Sequence, residues 1–205
     1  MPLQSRVRPD GELVADPTRG LLLGNRGGRL HDPATRTLGR RRWTSARWIS
    51  CELAFGGRRR EVWGEGYTEL FFLDEPTALA AGHRPCYECR RADALAFAAA
   101  VARAEGLERA PTAGELDRRL HRERLDGRVR RLHRLDAADL PDGAVVASGD
   151  AFLALRDDRA LAWTPAAWLP AGARPDGELD VLTPPTALAA LAAGFAPRWH
   201  PSAEA

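Results

Sequence analysis

Apolar and polar side chains alternate most regularly between Trp48 and Phe55. Ile49, Cys51, Leu53 and Phe55 fall on one face and Trp48, Ser50, Glu52 and Ala54 on the other. This period-two pattern predicts a strand with the first set turned to the core. Gly56-Gly57 is a hairpin-turn signal, so Arg58 to Trp63 is expected to return beside it. A denser apolar run, Tyr67 to Leu73, predicts a further strand rich in aromatics. Asp74 or Glu75 then offers a helix cap, Pro76 sits in the first turn and Gly82 supplies the stop. Arg84-Pro85 predicts a turn, because proline fixes its own φ and restricts the residue before it.

Helical spacing takes over after Cys89. From Arg90 to about Ala104, Leu95, Ala98 and Val101 form one stripe, and Gly106 ends the helix. Thr112-Ala113-Gly114-Glu115 is a capping box that opens a second helix to about Leu125. Leu116 and Leu120 face inward, and Asp126-Gly127 is the stop. Beyond Asp142 short apolar runs at 144–147, 151–155 and 160–163 alternate with turn residues, which predicts a small antiparallel meander. Pro165, Pro170 and Pro175 predict a loop, Val181-Leu182 a last strand, and 183–193 a short helix stopped by Gly194. Residues 1–47 are turn-rich, with short strands at Leu13-Val14 and Leu21 to Leu23. The expectation is an α+β fold. A β-hairpin and cysteine knuckle with helices occupy 1–141, and the meander with its short helix occupies 142–205, packed on the first part or continuous with it as one domain.

Composition narrows the class. At 44% hydrophobic the chain can bury a core, and a net charge of +2 makes the overall field weak. All 30 basic residues are arginine, whose planar fork grips phosphate or carboxylate bidentately. The N-terminal residues lack the apolar core of a signal peptide, and no apolar run approaches the ~20 residues that span a bilayer, so no membrane partner is expected. Three cysteines, two of them in a C-x-x-C, suit a reducing compartment and point to the cytoplasm.

Cys86-x-x-Cys89 follows the Arg84-Pro85 turn and opens the Ala-rich helix. That spacing lets two sulfurs face one metal ion, or makes a redox pair. Cys51 adds a third thiol, and three thiols favour a zinc ion as cofactor. A closed site needs a fourth ligand. His31 and His121 come from separate segments and could complete a tetrahedron, and His83 lies on the knuckle itself. Without a histidine, water would take the fourth position and the metal could be catalytic.

The segment 66–97 resembles the metal-binding domain of Ada-type DNA alkylation-repair proteins. The likeness rests on Phe72-Leu73-Asp74, the Ala-rich stretch 78–82, and Arg84-Pro85-Cys86-Tyr87-Glu88-Cys89-Arg90. It covers roughly a sixth of the chain. It departs upstream, where that family has a C-x-x-x-C pair and this chain has only Cys51, leaving the family's methyl-accepting cysteine without a counterpart. The resemblance implies a structural zinc and a role in DNA metabolism or repair. Over most of its length the chain also resembles a bacterial protein group to which no activity is attached, and that likeness implies no function.

The arginine clusters agree with a nucleic-acid partner. Arg40, Arg41 and Arg42, then Arg58, Arg59 and Arg60, flank the expected hairpin near Trp43, Trp48 and Trp63, while Arg90 and Arg91 follow the knuckle. Guanidinium pairs with phosphate and aromatic rings stack with bases. A solvated hairpin over core tryptophans is the competing reading. The Gly-rich loop from Gly24 to Asp32 could cradle an anion through its amides or be an ordinary surface loop. The alternative function is a zinc-dependent hydrolase. Pro85-Cys86-x-x-Cys89 matches half of the nucleoside-deaminase pattern, but the acid–base glutamate expected two residues after Cys51 is replaced by Leu53, with Glu52 adjacent. A nuclease-like site would use His121, Glu123 and His133 among the arginines of 118–134.

Overall fold

Among the described residues, 1–57 and 61–204 of a computed structural model, two six-stranded sheets, two short ribbons and four α-helices form an α+β fold. The first part contains β1 (Arg6–Val7), β2 (Leu13–Val14), β3 (Leu22–Asn25), the ribbon β4 (His31–Asp32) and β5 (Thr37–Leu38), β6 (Ile49–Glu52), β7 (Leu70–Phe72), α1 (Glu75–Ala80) and β8 (Arg84–Pro85). Then come α2 (Arg91–Glu105), α3 (Ala113–Arg124) and the ribbon β9 (Leu125–Asp126) and β10 (Val129–Arg130). The last part holds β11 (His133–Asp136), β12 (Val145–Ser148), β13 (Ala151–Arg156), β14 (Arg159–Trp163), β15 (Trp168–Ala173), β16 (Glu178–Val181) and α4 (Pro185–Ala192).

The first sheet runs β2-β1-β7-β3-β6-β8 and is mixed, since β1 lies parallel to β7 and β8 parallel to β6. The second runs β11-β16-β12-β13-β14-β15 and is antiparallel throughout. Its centre, β12 to β14, is the expected meander. Val145, Ala154, Leu161 and Trp168 turn into one core, and Val146 and Leu155 into another on the opposite face.

Helix α1 sits where the layers meet, and all six of its residues are buried. Asp74 caps it by accepting from the Thr77 amide at 3.1 Å, and Pro76 occupies its first turn. Ala78 packs with Val7, Leu22 and Phe72 of the first sheet, Leu79 with Phe97, Leu116 and Leu191 of the helices, and Ala80 with Val145 and Trp168 of the second sheet. Two alanines among its six residues, Ala78 and Ala80, let three layers approach one short helix. The turn after α1 needs Gly82, which has φ +81°, and a Cβ there would lie 2.4 Å from Cδ of Arg124.

Several expectations are corrected. Arg84-Pro85 is not a free turn but the edge strand β8, a position where proline's missing donor does no harm. The same rule admits Pro170 within β15, the outer strand of its sheet, where a loop was expected. No second strand of the 48–63 hairpin is present among the described residues: 62–66 is turns and bends, Arg58 to Arg60 lie outside the described residues, and β6 pairs instead with β3 and β8. On α2 the inward stripe is Ala94, Phe97, Ala98 and Val101, while Leu95 is exposed. No helix among the described residues is long and apolar enough to cross a membrane.

Candidate metal centre

Strand pairing builds the centre. Because β6 lies between β3 and β8, Cys51 on β6 is brought beside Cys86, the residue after β8, whose amide donates to the Ser50 carbonyl at 2.9 Å. The knuckle then closes on itself, with the Arg90 amide donating to the Cys86 carbonyl at 3.1 Å. The Sγ atoms of Cys51, Cys86 and Cys89 all lie within 4.8 Å of one another. Sulfurs on a tetrahedral zinc are about 3.8 Å apart, given Zn–S bonds of about 2.3 Å, so shifts of about 1 Å would complete the fit. Two backbone amides already point at sulfur: Glu88 donates to Cys86 and Glu52 to Cys89, each at 3.4 Å. Such donors favour the thiolate form and fix its direction.

The three thiols share protons unequally. The hydrogen bond from Cys51 is the main reason that the Cys86 pKa is pushed down to about 5 and that of Cys89 is lowered. The same contacts drive the Cys51 thiol upward, with burial adding to them. A metal ion would displace the remaining proton and hold all three as thiolates.

A buried ion network backs this cluster. The Arg90 side chain, 1% exposed, meets Glu75 at 2.8 Å and Asp93 at 2.6 Å, and donates to Ser50 Oγ at 3.1 Å. Glu52 beside Cys51 is held bidentately by Arg198 at 2.7 and 2.9 Å. Arg90 therefore braces both the strand and the knuckle. Its expected role as a surface contact to nucleic acid is corrected, because its guanidinium is buried against carboxylates, whereas Arg91 is exposed.

All three cysteines line one cavity of about 580 Å³. Its walls include Leu23, Ile49, Leu53, Phe71 and Tyr87, and Arg19, Arg47 and Arg84 also reach it. Arg84 is committed to Asp117 at 2.8 and 3.0 Å. This corrects the facing of β6. The set Ile49, Cys51, Leu53 and Phe55 lines the cavity, with Leu53 46% and Phe55 42% exposed, while Trp48 and Ser50 of the other set are buried.

The histidines stay away from the sulfurs. His31 stacks on Trp63 and bonds Thr68 Oγ1 at 2.7 Å and the Gly64 carbonyl at 2.9 Å. His83 is buried between Trp48 and Phe72, with Arg26 Nε donating to it at 3.4 Å, and burial holds its pKa well below 6.5. His121 pairs with Arg124 at 2.9 Å. None of the three joins the group formed by the cysteines among the described residues, so each is withdrawn as fourth ligand. The nuclease-like set does not converge either. Glu123 caps α4 by accepting from the Thr186 amide and hydroxyl, His121 faces Arg124, and His133 bonds the Glu123 carbonyl rather than its carboxylate.

Arg40, Arg41 and Arg42 are exposed and form, with Trp43 and Arg128, a separate cleft of about 330 Å³. Arg58, Arg59 and Arg60 lie outside the described residues. Trp48 and Trp63 are core residues, so neither offers a face for stacking. In the Gly-rich loop the Gly27 amide is taken by Asn25 and the Leu30 amide by Thr68, and Arg26 is buried, which leaves fewer groups free to cradle an anion. Arg19, Arg47 and Arg198 reach the centre or its cavity from segments that no local motif links to the cysteines. The chain matches no family model, and no curated protein or solved structure matches it.

Proposed function

We propose that Cys51, Cys86 and Cys89 bind one zinc ion as thiolates, pinning β6 to the knuckle, and that the arginine-rich face contacts nucleic acid in DNA metabolism or repair. The convergence of three sulfurs within 4.8 Å, with two amides aimed at them, carries the metal reading. Soft thiolate donors favour zinc over the hard cations, which take oxygen ligands. The nucleic-acid reading is supported by the cleft of Arg40, Arg41, Arg42, Arg128 and half-buried Trp43, and by the resemblance of 66–97 to Ada-type metal-binding domains.

A second reading, a zinc-dependent hydrolase, is favoured by the cavity that all three cysteines line. A zinc ion there would supply Lewis acidity. This chain's residues would bind and orient the substrate, and the apolar walls would limit water. Glu52 is a poor proton shuttle because Arg198 holds both of its oxygens.

Metal analysis of the wild type and of Cys86→Ser, with thermal denaturation alongside, tests the centre. One zinc per chain, lost in the variant with a fall in Tm of about 8–16 °C, is expected: saturation at 1,000 Kd is worth about 4 kcal/mol, and each kcal/mol moves Tm by about 2–4 °C in a chain of this size. A wild type without metal after zinc-supplemented expression would defeat the reading. Loss of zinc without loss of stability would favour the hydrolase.

A further inference from the structure

A tetrahedral zinc ion held by three thiolates has one position left, and the fold leaves the cavity to fill it. Among the described residues no histidine or carboxylate joins the sulfurs. The residues outside that set are Arg58 to Arg60 and Ala205, none of which has a zinc-ligating side chain. The sulfurs sit in the wall of a cavity of about 580 Å³, within the size range of small-molecule sites.

The cavity's other walls describe what fits. Ile49, Leu53 and Phe71 are apolar, and Tyr87 is aromatic and half-buried. These surfaces suit a flat, apolar body. Of the glutamates that also line it, Glu52 is held by Arg198, buried Glu69 accepts from the Trp63 amide and Glu88 is exposed. Two arginines, Arg19 and Arg47, are exposed at the same cavity. Arg19 lies over the Phe71 ring at 5.1 Å, and neither it nor Arg47 has a carboxylate partner among the described residues. Arg84, in contrast, is already neutralised by Asp117. Two guanidiniums without a carboxylate partner among the described residues, at one cavity, suit an anionic group.

We propose that this cavity binds a small aromatic acid carrying a nitrogen or sulfur donor. The donor takes the metal's fourth position, the ring lies against the apolar walls, and the carboxylate or phosphate is held by Arg19 and Arg47. This rests on the metal reading and goes beyond it, because a purely structural zinc would admit no outside ligand.

Cobalt(II)-substituted full-length protein tests it, since the visible bands of tetrahedral thiolate-bound cobalt report every change of ligand. The probes are 4-(imidazol-1-yl)benzoate, 1-phenylimidazole, which lacks the acid, and benzoate, which lacks the donor. Both imidazoles are expected to shift the bands and benzoate to leave them unchanged. The acid-bearing imidazole should bind about tenfold more tightly than 1-phenylimidazole, as expected for one charge-assisted pair. The double variant Arg19→Ser, Arg47→Ser should keep its cobalt spectrum and lose that tenfold preference. Bound cobalt whose bands ignore both imidazoles at millimolar concentration would overturn the open position. A band shift with no preference for the acid, or a preference that survives in the double variant, would overturn the ligand class. Failure to bind cobalt at all would refute the metal reading itself and this inference with it.

Discussion

The guanidinium carbon of Arg124 lies 3.8 Å from the centre of the Trp48 ring, inside the core. Arg26 lies 4.0 Å from the same ring centre, and two guanidiniums this close to one ring have room only on its opposite faces. Arg124 also donates to the carbonyls of Gly82 at 2.9 Å and Ala46 at 2.8 Å. It thereby ties the end of α3 to the turn before the knuckle and to the segment that enters β6. Burial, followed by the fields of Arg26 and Arg130, pushes its pKa down to about 8, so this link costs charge desolvation. Arg124→Met keeps the apolar stem but strands two buried carbonyls. A loss of about 3 kcal/mol is expected, at about 1–3 kcal/mol per unsatisfied group less the relief of the buried charge. Urea denaturation checks it, and a change below about 0.5 kcal/mol would show that the carbonyls are satisfied otherwise.

Arg90 is predicted to be the most sensitive residue around the cysteines. Its removal leaves the 1% exposed Glu75 carboxylate without its cation and frees Ser50 next to Cys51. Arg90→Ala should destabilise by about 3–5 kcal/mol, the usual cost of stranding one member of a buried pair. Glu75→Gln should cost less, because Asp93 still neutralises Arg90 at 2.6 Å. The same Arg90 variant should weaken zinc binding by about 10–100-fold, as loss of an outer support typically does. Competition with a chromogenic chelator measures this, and unchanged affinity would remove Arg90 from the centre.

The cysteine cluster was legible because a C-x-x-C and one strand-borne thiol carry their own local signals. The capping box of α3, with the Glu115 amide bonded to Thr112, and the β12 to β14 meander were legible for the same reason. The facing of β6 was not. Period-two alternation separates two faces but does not say whether the apolar one meets a core or a cavity, and Leu53 and Phe55 meet the cavity. The role of Trp48 was hidden too: an arginine-rich sequence beside tryptophans reads as a binding surface, yet Arg26 and Arg124 use it as a buried joint. Arg198 is paired with Glu52 across 146 positions of chain, a relation that only the tertiary fold creates.

His83 gives stability a dependence on pH. Burial first, then the positive fields of Arg26, Arg124 and Arg130, keep its folded-state pKa well below the ordinary 6.5. Below pH 6.5 the unfolded chain therefore binds a proton that the folded chain refuses. Stability is full above that value and falls as pH drops, by at most about 1.4 kcal/mol per unit. His83→Phe, which keeps a ring between Trp48 and Phe72, should abolish this component. Between pH 7 and 5.5 the wild type is expected to lose about 1 kcal/mol more than the variant. Equal losses in urea titrations at the two pH values would mean that His83 already accepts its proton when folded.

The surface arginines and the buried ones make opposite predictions for nucleic acid. Each phosphate contact releases condensed counterions, so the slope of log affinity against log salt counts the contacts, at about 0.9 per phosphate on a duplex. Arg40, Arg41 and Arg42 are exposed and share a cleft with Trp43 and Arg128. Replacing all three by serine should reduce the slope by about 3 and weaken binding similarly for any sequence, because phosphate contacts carry no base information. Trp43→Ala should instead lower affinity for single strands by about 1–3 kcal/mol, the worth of one stacked base, with little change of slope. Arg26 and Arg124 spend their guanidiniums on Trp48 and backbone carbonyls and should contribute nothing to the slope. Anisotropy titrations of a labelled oligonucleotide across a salt series separate these cases. A triple variant with an unaltered slope would move the interface away from this cleft.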